Sequence, residues 1–543
     1  MPTQQPSPKL AAVMERLRRL EPRIEKIMSI TGLPGCSIGV IHQGVEVWKF
    51  NAGFRDVEKQ LPPRSDTVFN LNSLTKSLTA AALARLVQDG KLSWETPIIS
   101  ILPDFAEGGD ATDQSINAMD LLSMRTGHFA LNCMAWQGNN IVLPKKEDTV
   151  QYWNATPRIA PFRQSFIYNN WGYGVIALVI EKLSGQPFHT FLQERIFDPL
   201  GLKRTKMQDD TPFENSAKAY AVLDNRTPIP VPPPSIGAGV FTEGGSGVLS
   251  TIDDMLRLYH AYLLAINHQS QSGSNSTPDN PFTQCNKLLE PHNTLPRPYR
   301  TFSIQEQNYC AGLIRSLLPG PLGMMGINSD FNEWPPVVLE GFLKTLCYYH
   351  QGMMVGSTSN IALLPETETV VAVLANAFPL GDGADWISQM IIEAIFNPPT
   401  TKDFEENAEE VALEVLQLLP GIGKELQDRH SRHKLGALPT LPFPSYVGTF
   451  KHEATPFTLD IKLEGNGLTM TFNGCQEETY CLRPYNLDTF SWWTPFNEAA
   501  QRGRFVTCYP ESTFLISFEK EASRIAWVSG DILDEPYYFL RVE

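Results

Sequence analysis

The 543-residue sequence has no CxxC pair, no zinc-type spacing and no histidine cluster, so neither a metal site nor another cofactor is expected. Its eight cysteines, Cys36, Cys133, Cys285, Cys310, Cys347, Cys475, Cys481 and Cys508, are scattered and read as reduced, buried thiols. No apolar run reaches transmembrane length, and the best candidate, near Val175–Ile180, is far too short. A membrane partner is therefore not expected. No basic stripe appears, and the net charge of −15 argues against nucleic acid, because phosphate contacts need clustered Lys and Arg. The first thirty residues lack the apolar centre of a secretory signal, so the expected location is cytoplasmic. No internal repeat is visible.

What is present is a long, moderately hydrophobic chain, long enough that two domains are the default. Leu10, Val13, Leu17 and Leu20 follow helical spacing and predict one amphipathic helix at the start. CSIGVIHQGVEVWKFNAGFRD (Cys36–Asp56) reads as a hairpin turning at Gln43-Gly44. Leu78, Ala81, Leu83, Leu86 and Val87 then mark a helix with a stop at Gly90. Asp120–Phe129 predicts a short helix ending at Gly127, and Trp171–Leu183 a longer one closed by Ser184-Gly185. Ser250 or Thr251 should cap a helix that carries Asp253 and Asp254 in its first turn. His268–Pro281 is polar and reads as an exposed loop. Gly352–Pro365 and Thr369–Ala377 predict a hairpin about Glu366-Thr367-Glu368, and Ala384–Phe396 a helix.

Near Asn397 the character changes. An acidic helical linker (Asp403–Leu419) leads into short β-rich runs that continue to Glu543. The expected domains are therefore 1–398, a linker over 399–440, and an antiparallel β-sandwich or small β-barrel over 441–543.

The chemistry is sought at Ser73-Leu74-Thr75-Lys76. A serine hydroxyl is a poor nucleophile at neutral pH and needs a neighbouring base. Residues three apart on a helix share a face, so Lys76 would project beside Ser73. A desolvated lysine has a lowered pKa and can accept the serine proton. A second SxxK, Ser517–Lys520, lies in a strand-like run whose i and i+3 positions face opposite ways, and it is set aside.

Two further elements follow in order: Tyr168-Asn169-Asn170 and His350-Gln351-Gly352. With PGCSIGVIHQG, DLLSMRTG and GGSGVLSTIDDM, they make the chain resemble the serine β-lactamase and penicillin-binding-protein superfamily, in its class C-like esterase and acyltransferase branch. The resemblance spans roughly Leu10 to Pro398. It implies an α+β fold, an antiparallel sheet flanked by helices, with a lipocalin-like barrel appended. It also implies catalytic roles for Ser73, Lys76 and Tyr168, the last as base or proton relay with a phenol acidified by Lys76. Asn170 should bond Lys76 and the substrate. Gly352 should let its strand approach the acyl group, and the N–H groups of Ser73 and Met353 should form the oxyanion hole. His350 stands where β-lactamases usually carry lysine, and its imidazole should be partly charged near neutrality. Lys344-Thr345 mimics the lysine element, but Leu346 replaces the glycine. His128 reads as a helix cap, and Trp136 and Trp171 as core or as walls of an acyl site. Of the adjacent Trp492 and Trp493, one should pack on the catalytic domain.

The expected activity is a metal-free serine hydrolase or acyltransferase working through an acyl-enzyme on a small-molecule ester, thioester or amide, as in secondary metabolism. The alternatives are a D-amino-acid-type peptidase or amidase, a non-covalent cyclisation or rearrangement catalyst, and an inactive scaffold on the same fold.

Overall fold

The computed structural model describes residues 7–131, 134–138, 140–296, 307–332, 334–505, 510–528 and 536–542. Two helices open the chain, α1 (Pro8–Arg18) and α2 (Glu21–Thr31), where the sequence pattern suggested one. Pro22 in the first turn of α2 cannot continue a preceding helix, and the chain bends there. Leu10, Val13, Leu17 and Leu20 are all buried, so the amphipathic reading of that stretch holds.

A hairpin follows, β1 (Gly35–His42) and β2 (Val45–Gly53). Gln43 and Gly44 both have positive φ, 53° and 71°, the geometry of the tight turn that matches strand twist. α3 (Thr75–Gln88), α4 (Asn170–Ser184) and α5 (Ile252–Ser272) form the helical middle. Thr251 caps α5 by accepting from the Asp254 N–H, and Gly185 closes α4 in the left-handed conformation. α5 runs on through the first part of the expected loop, to Ser272, because Ala265, Ile266 and Gln269 are buried. The expected helix over Asp120–Phe129 is instead Ala118–Leu122, and the chain leaves it through Met124 at φ 55°.

The sheet is completed by β3 (Asn293–Thr294), β4 (Asn308–Tyr309), β5 (Ile314–Leu318), β6 (Thr345–Met354), β7 (Ser357–Leu364) and β8 (Thr369–Ala375). Its order is β3-β4-β5-β6-β7-β8-β1-β2, antiparallel throughout. Strands from both ends of the domain meet at β8 and β1, each buried along its whole length. The β7–β8 hairpin turns where expected. Gly352–Met354, however, belongs to β6, because Val355-Gly356 makes a turn, with Gly356 at φ 99°. α6 (Gly383–Phe396), with α1 and α2, covers one face, and α5 covers the other. The fit to α5 is close: a Cβ on Gly39 would stand 2.7 Å from Ile252 Cγ2.

α7 spans Phe404–Arg432 and is more than a linker. Phe404, Ala408, Val411, Val415, Leu419, Ile422 and Leu426 form one buried stripe that crosses Pro420, and the helix packs on α2. Eight strands between Gly448 and Arg541 then close into an antiparallel barrel. Phe450, Phe472, Trp492, Trp527 and Phe539 are buried in its domain. Trp493 turns the other way, onto Gly423 of α7. Cys36, Cys285, Cys310 and Cys347 are buried as expected, but Cys475 is half-buried and Cys481 exposed. Cys133 and Cys508 lie outside the described residues. Among the described residues no helix is long and apolar enough to cross a membrane.

Candidate active site

Ser73 sits in a single 3-10 turn, Asn72–Leu74, that leads directly into α3. The turn is held open by Asn72, a non-glycine residue at φ 52°. Its amide donates to the Ser357 carbonyl and hydroxyl at 3.1 and 3.0 Å, and its oxygen accepts from that hydroxyl at 3.2 Å. Asparagine tolerates this left-handed region better than most residues, and the bonds to β7 fix it there. Gly352 lets β6 lie against the same turn: a Cβ there would stand 2.4 Å from the Leu71 carbonyl. Its close approach is thus to the segment that carries Ser73.

Lys76 is wholly buried one turn later. Its Nζ donates to Ser73 Oγ at 3.0 Å and to the Gly245 carbonyl at 2.9 Å. The rings of Tyr168 and Tyr173 stand 5.0 and 5.4 Å from it. No carboxylate bonds it among the described residues, and burial holds its pKa well below the ordinary lysine value. The amine is therefore disposed to be neutral. The Gly245 carbonyl was not legible in the motifs, although GGSG marks the place. Gly244 and Gly245 pack so close that a Cβ on Gly245 would stand 3.3 Å from Nζ. Thr75 and Thr79 of α3 tie down this segment, Thr75 Oγ1 accepting from the Val248 N–H at 3.1 Å and Thr79 Oγ1 donating to the Gly244 carbonyl at 2.6 Å.

Tyr168 donates its hydroxyl to Ser73 Oγ at 2.9 Å. Its phenol is not acidified by Lys76. Burial pushes its pKa up, because a neutral amine supplies no positive charge to offset the cost of a buried phenolate. Asn169 caps α4, accepting from the Trp171 N–H at 2.9 Å, and so orients the motif it divides. Asn170 lines the cleft in front of Ser73, but it makes no hydrogen bond to Lys76; the Gly245 carbonyl has that place.

His350 departs furthest from expectation. Its side chain is fully buried behind Tyr168, ring centroids 6.3 Å apart, and does not line the cleft. Nε2 meets the Tyr309 hydroxyl at 3.1 Å, and Nδ1 meets the Gln351 carbonyl. Burial lowers its pKa to about 3, so it is neutral near pH 7 rather than partly charged. Alternation along β6 instead turns Gln351 and Met353 to the cleft. Gln351 is braced by its amide donating to Asp385 at 2.9 Å.

The cleft measures about 340 Å³. Ser73, Tyr168, Asn170 and Gln351 line its reactive end; Met324, Met325, Ile327, Met353 and Met354 make an apolar wall; and Asp330 stands on the segment that carries Met324 to Ile327. Phe505 of the barrel domain also lines it, in edge contact with Phe378 at 5.3 Å. The sequence pattern gave no hint of that contribution. His128 neither lines the cleft nor caps a helix: it stacks on Trp153 at 4.7 Å and meets Asp113 at 3.1 Å. Trp171 is core, stacked between Tyr152 and Phe241. The side chain of Trp136 lies outside the described residues.

A serine oxygen bonded by a desolvated amine and a neutral phenol, at the floor of a cleft, is equipped to be deprotonated and to attack a carbonyl. The sequence profile of the Beta-lactamase family matches residues 20–392, and a domain of unknown function, DUF3471, matches residues 432–529. The human serine beta-lactamase-like protein LACTB, mitochondrial, is 24% identical over 305 residues, 44% of this chain and 55% of that protein. Unguisins hydrolase ungD of Aspergillus violaceofuscus is 28% identical over 214 residues, 37% of each chain. The chain thus matches about half or less of the length of these relatives. In fold, the octameric penicillin-binding protein homologue from Pyrococcus abyssi covers 96% of this chain and 99% of its own, at TM-score 0.56 and 19% identity.

Proposed function

The chain belongs to the beta-lactamase family, whose members are serine hydrolases, and from that premise we propose that it hydrolyses a small-molecule ester or amide through an acyl-enzyme on Ser73. The observation that carries the reading is the pair of hydrogen bonds on Ser73 Oγ, from Lys76 at 3.0 Å and from Tyr168 at 2.9 Å, with the lysine desolvated and without a carboxylate partner.

With the Lys76 hydrogen bond reversed, so that the Ser73 hydroxyl donates to the lone pair of Nζ, neutral Lys76 takes the Ser73 proton as Oγ bonds to the substrate carbonyl carbon. The oxygen of that carbonyl becomes an oxyanion, received by the backbone N–H groups we assign, those of Ser73 and Met353. As the carbon–leaving-group bond breaks, Tyr168 gives its proton to the leaving atom and regains one from the Lys76 ammonium. This makes Tyr168 a relay rather than a base, which suits a phenol that burial keeps protonated. Water then attacks the acyl carbon with Lys76 again as base, and Oγ leaves with a proton. Asn170 and Gln351 orient the substrate from the cleft wall. The three-element arrangement favours the class C-like type, and the likeness to a protein named as a hydrolase favours water over another acceptor.

Intact mass after incubation with a fluorophosphonate tests this. One adduct is expected on the wild type, none on Ser73→Ala, and far slower labelling of Lys76→Met. A folded wild type that stays unlabelled and turns over no p-nitrophenyl ester would overturn the covalent mechanism.

A further inference from the structure

The cleft contains one feature that the acyl-transfer steps leave unused. Asp330 is the only charged side chain lining it among the described residues. The residue lies on the one-turn helix Asn328–Phe331. Its neighbour Asn328 fixes that helix to the core, donating to the Asp382 carbonyl and to the Asp385 carboxylate at 3.0 Å each and accepting from the Asp382 N–H at 2.7 Å. Asp330 therefore stands on a held element rather than on a free loop.

No described side chain forms a hydrogen bond or ion pair with its carboxylate. The group is open to solvent from the cleft, yet protein crowds it on its other sides, and that desolvation pushes its pKa up to about 6. An unpaired carboxylate in such a place is destabilised, and a cation delivered by a ligand would offset the cost. Nothing at the site offers the opposite service. Lys76 is buried behind Ser73, and His350 is neutral behind Tyr168, so a ligand carboxylate would find no described cation and would face Asp330. The remaining wall is apolar and rich in methionine, which adapts to varied apolar shapes. The overall charge of −15 also draws cations toward the surface.

We infer that this cleft selects acyl donors that join an apolar body to a positively charged amine, with Asp330 receiving the ammonium. The inference rests on the acyl-enzyme reading above and names the substrate class for that same site. Asp330 acts in it as a specificity-determining residue and takes no part in bond making or breaking.

The test is a ladder of p-nitrophenyl esters of ω-amino acids, from glycine to ε-aminocaproate, each compared with the alkanoate in which a methyl group replaces the ammonium. At one or more chain lengths the wild type should prefer the ammonium ester in kcat/KM by about tenfold or more, the scale of a charge-assisted hydrogen bond. In Asp330→Asn that ratio should fall to about one. Equal rates at every length, or a preference that survives in the variant, would overturn the inference. A second measurement does not need turnover: calorimetry of hexylammonium and of hexanoate with Ser73→Ala protein. Tighter binding of the ammonium, lost on adding Asp330→Asn, supports the inference even if no ester is cleaved, in which case only the acyl-enzyme reading fails. Tighter binding of hexanoate would overturn it.

Discussion

Gly245→Ala asks whether the position of the Lys76 amine matters more than its presence. The added methyl would stand 3.3 Å from Nζ, 3.5 Å from Asn170 Oδ1 and 3.8 Å from Lys76 Cε. The first distance is tighter than ordinary contact, so something must give by a few tenths of an ångström. The backbone here is held by the Thr79 bond to the Gly244 carbonyl, and the lysine tip is the softer partner. Nζ is thus pushed off the line between Ser73 Oγ and the Gly245 carbonyl, and its 3.0 Å bond to the serine lengthens. General-base transfer contributes about a hundredfold to ten-thousandfold when well placed, so a partial misplacement should lower kcat/KM by about tenfold to a hundredfold. The fold should not suffer. Gly245 lies in a one-turn helix without a positive φ, where alanine is favoured over glycine by about 0.5–1 kcal/mol. Kinetics on a p-nitrophenyl ester and a thermal melt, run side by side, check both halves. Unchanged kcat/KM in a folded variant would refute the claim that the Gly245 carbonyl sets the position of the base.

Tyr168→Phe removes the second bond to Ser73 Oγ but leaves the ring over Lys76. Acylation by an aryl ester, whose leaving group needs little protonation, should fall less than acylation by an amide, and a comparison of the two substrates reads this. Asn72→Ala loses the bonds to Ser357 and puts alanine at φ 52°, which should cost about 2–4 kcal/mol in a denaturant melt along with activity. Phe505→Ala removes the barrel domain's side chain from the cleft and should raise KM several-fold with kcat little changed; a change in kcat alone would contradict a role in binding.

Much of this was legible in the sequence because it is local. A turn at Gln43-Gly44, a cap at Thr251 and a stop at Gly185 each depend on a few adjacent residues, and each appears where the pattern put it. The order of the three motif elements placed Ser73, Lys76 and Tyr168 together, and the structure brings them within hydrogen-bond reach. The protonation of these groups was not legible, because it depends on surroundings distant in the chain. Tyr168 looked acidified only while Lys76 was imagined charged, and His350 looked half-charged only while it was imagined exposed. Gly245 is 169 residues from Lys76, and only the glycine-rich run hinted at a close approach. α7 passed through Pro420 because its buried stripe continues beyond it, where local propensity predicted a stop.

The pH dependence of fluorophosphonate labelling, using a neutral probe and the wild-type protein, tests the central claim most directly. Lys76 must be neutral to accept the Ser73 proton, and burial lowers its pKa. Below that lowered pKa the lysine is an ammonium and labelling should be slow; as pH rises through it the rate should climb and then level. A pH scan should therefore show a single rise to a plateau, with its midpoint well below the ordinary lysine value. In Lys76→Met the step should vanish. A rate that keeps climbing toward the range of ordinary lysines and tyrosines, with no plateau before it, would contradict the account.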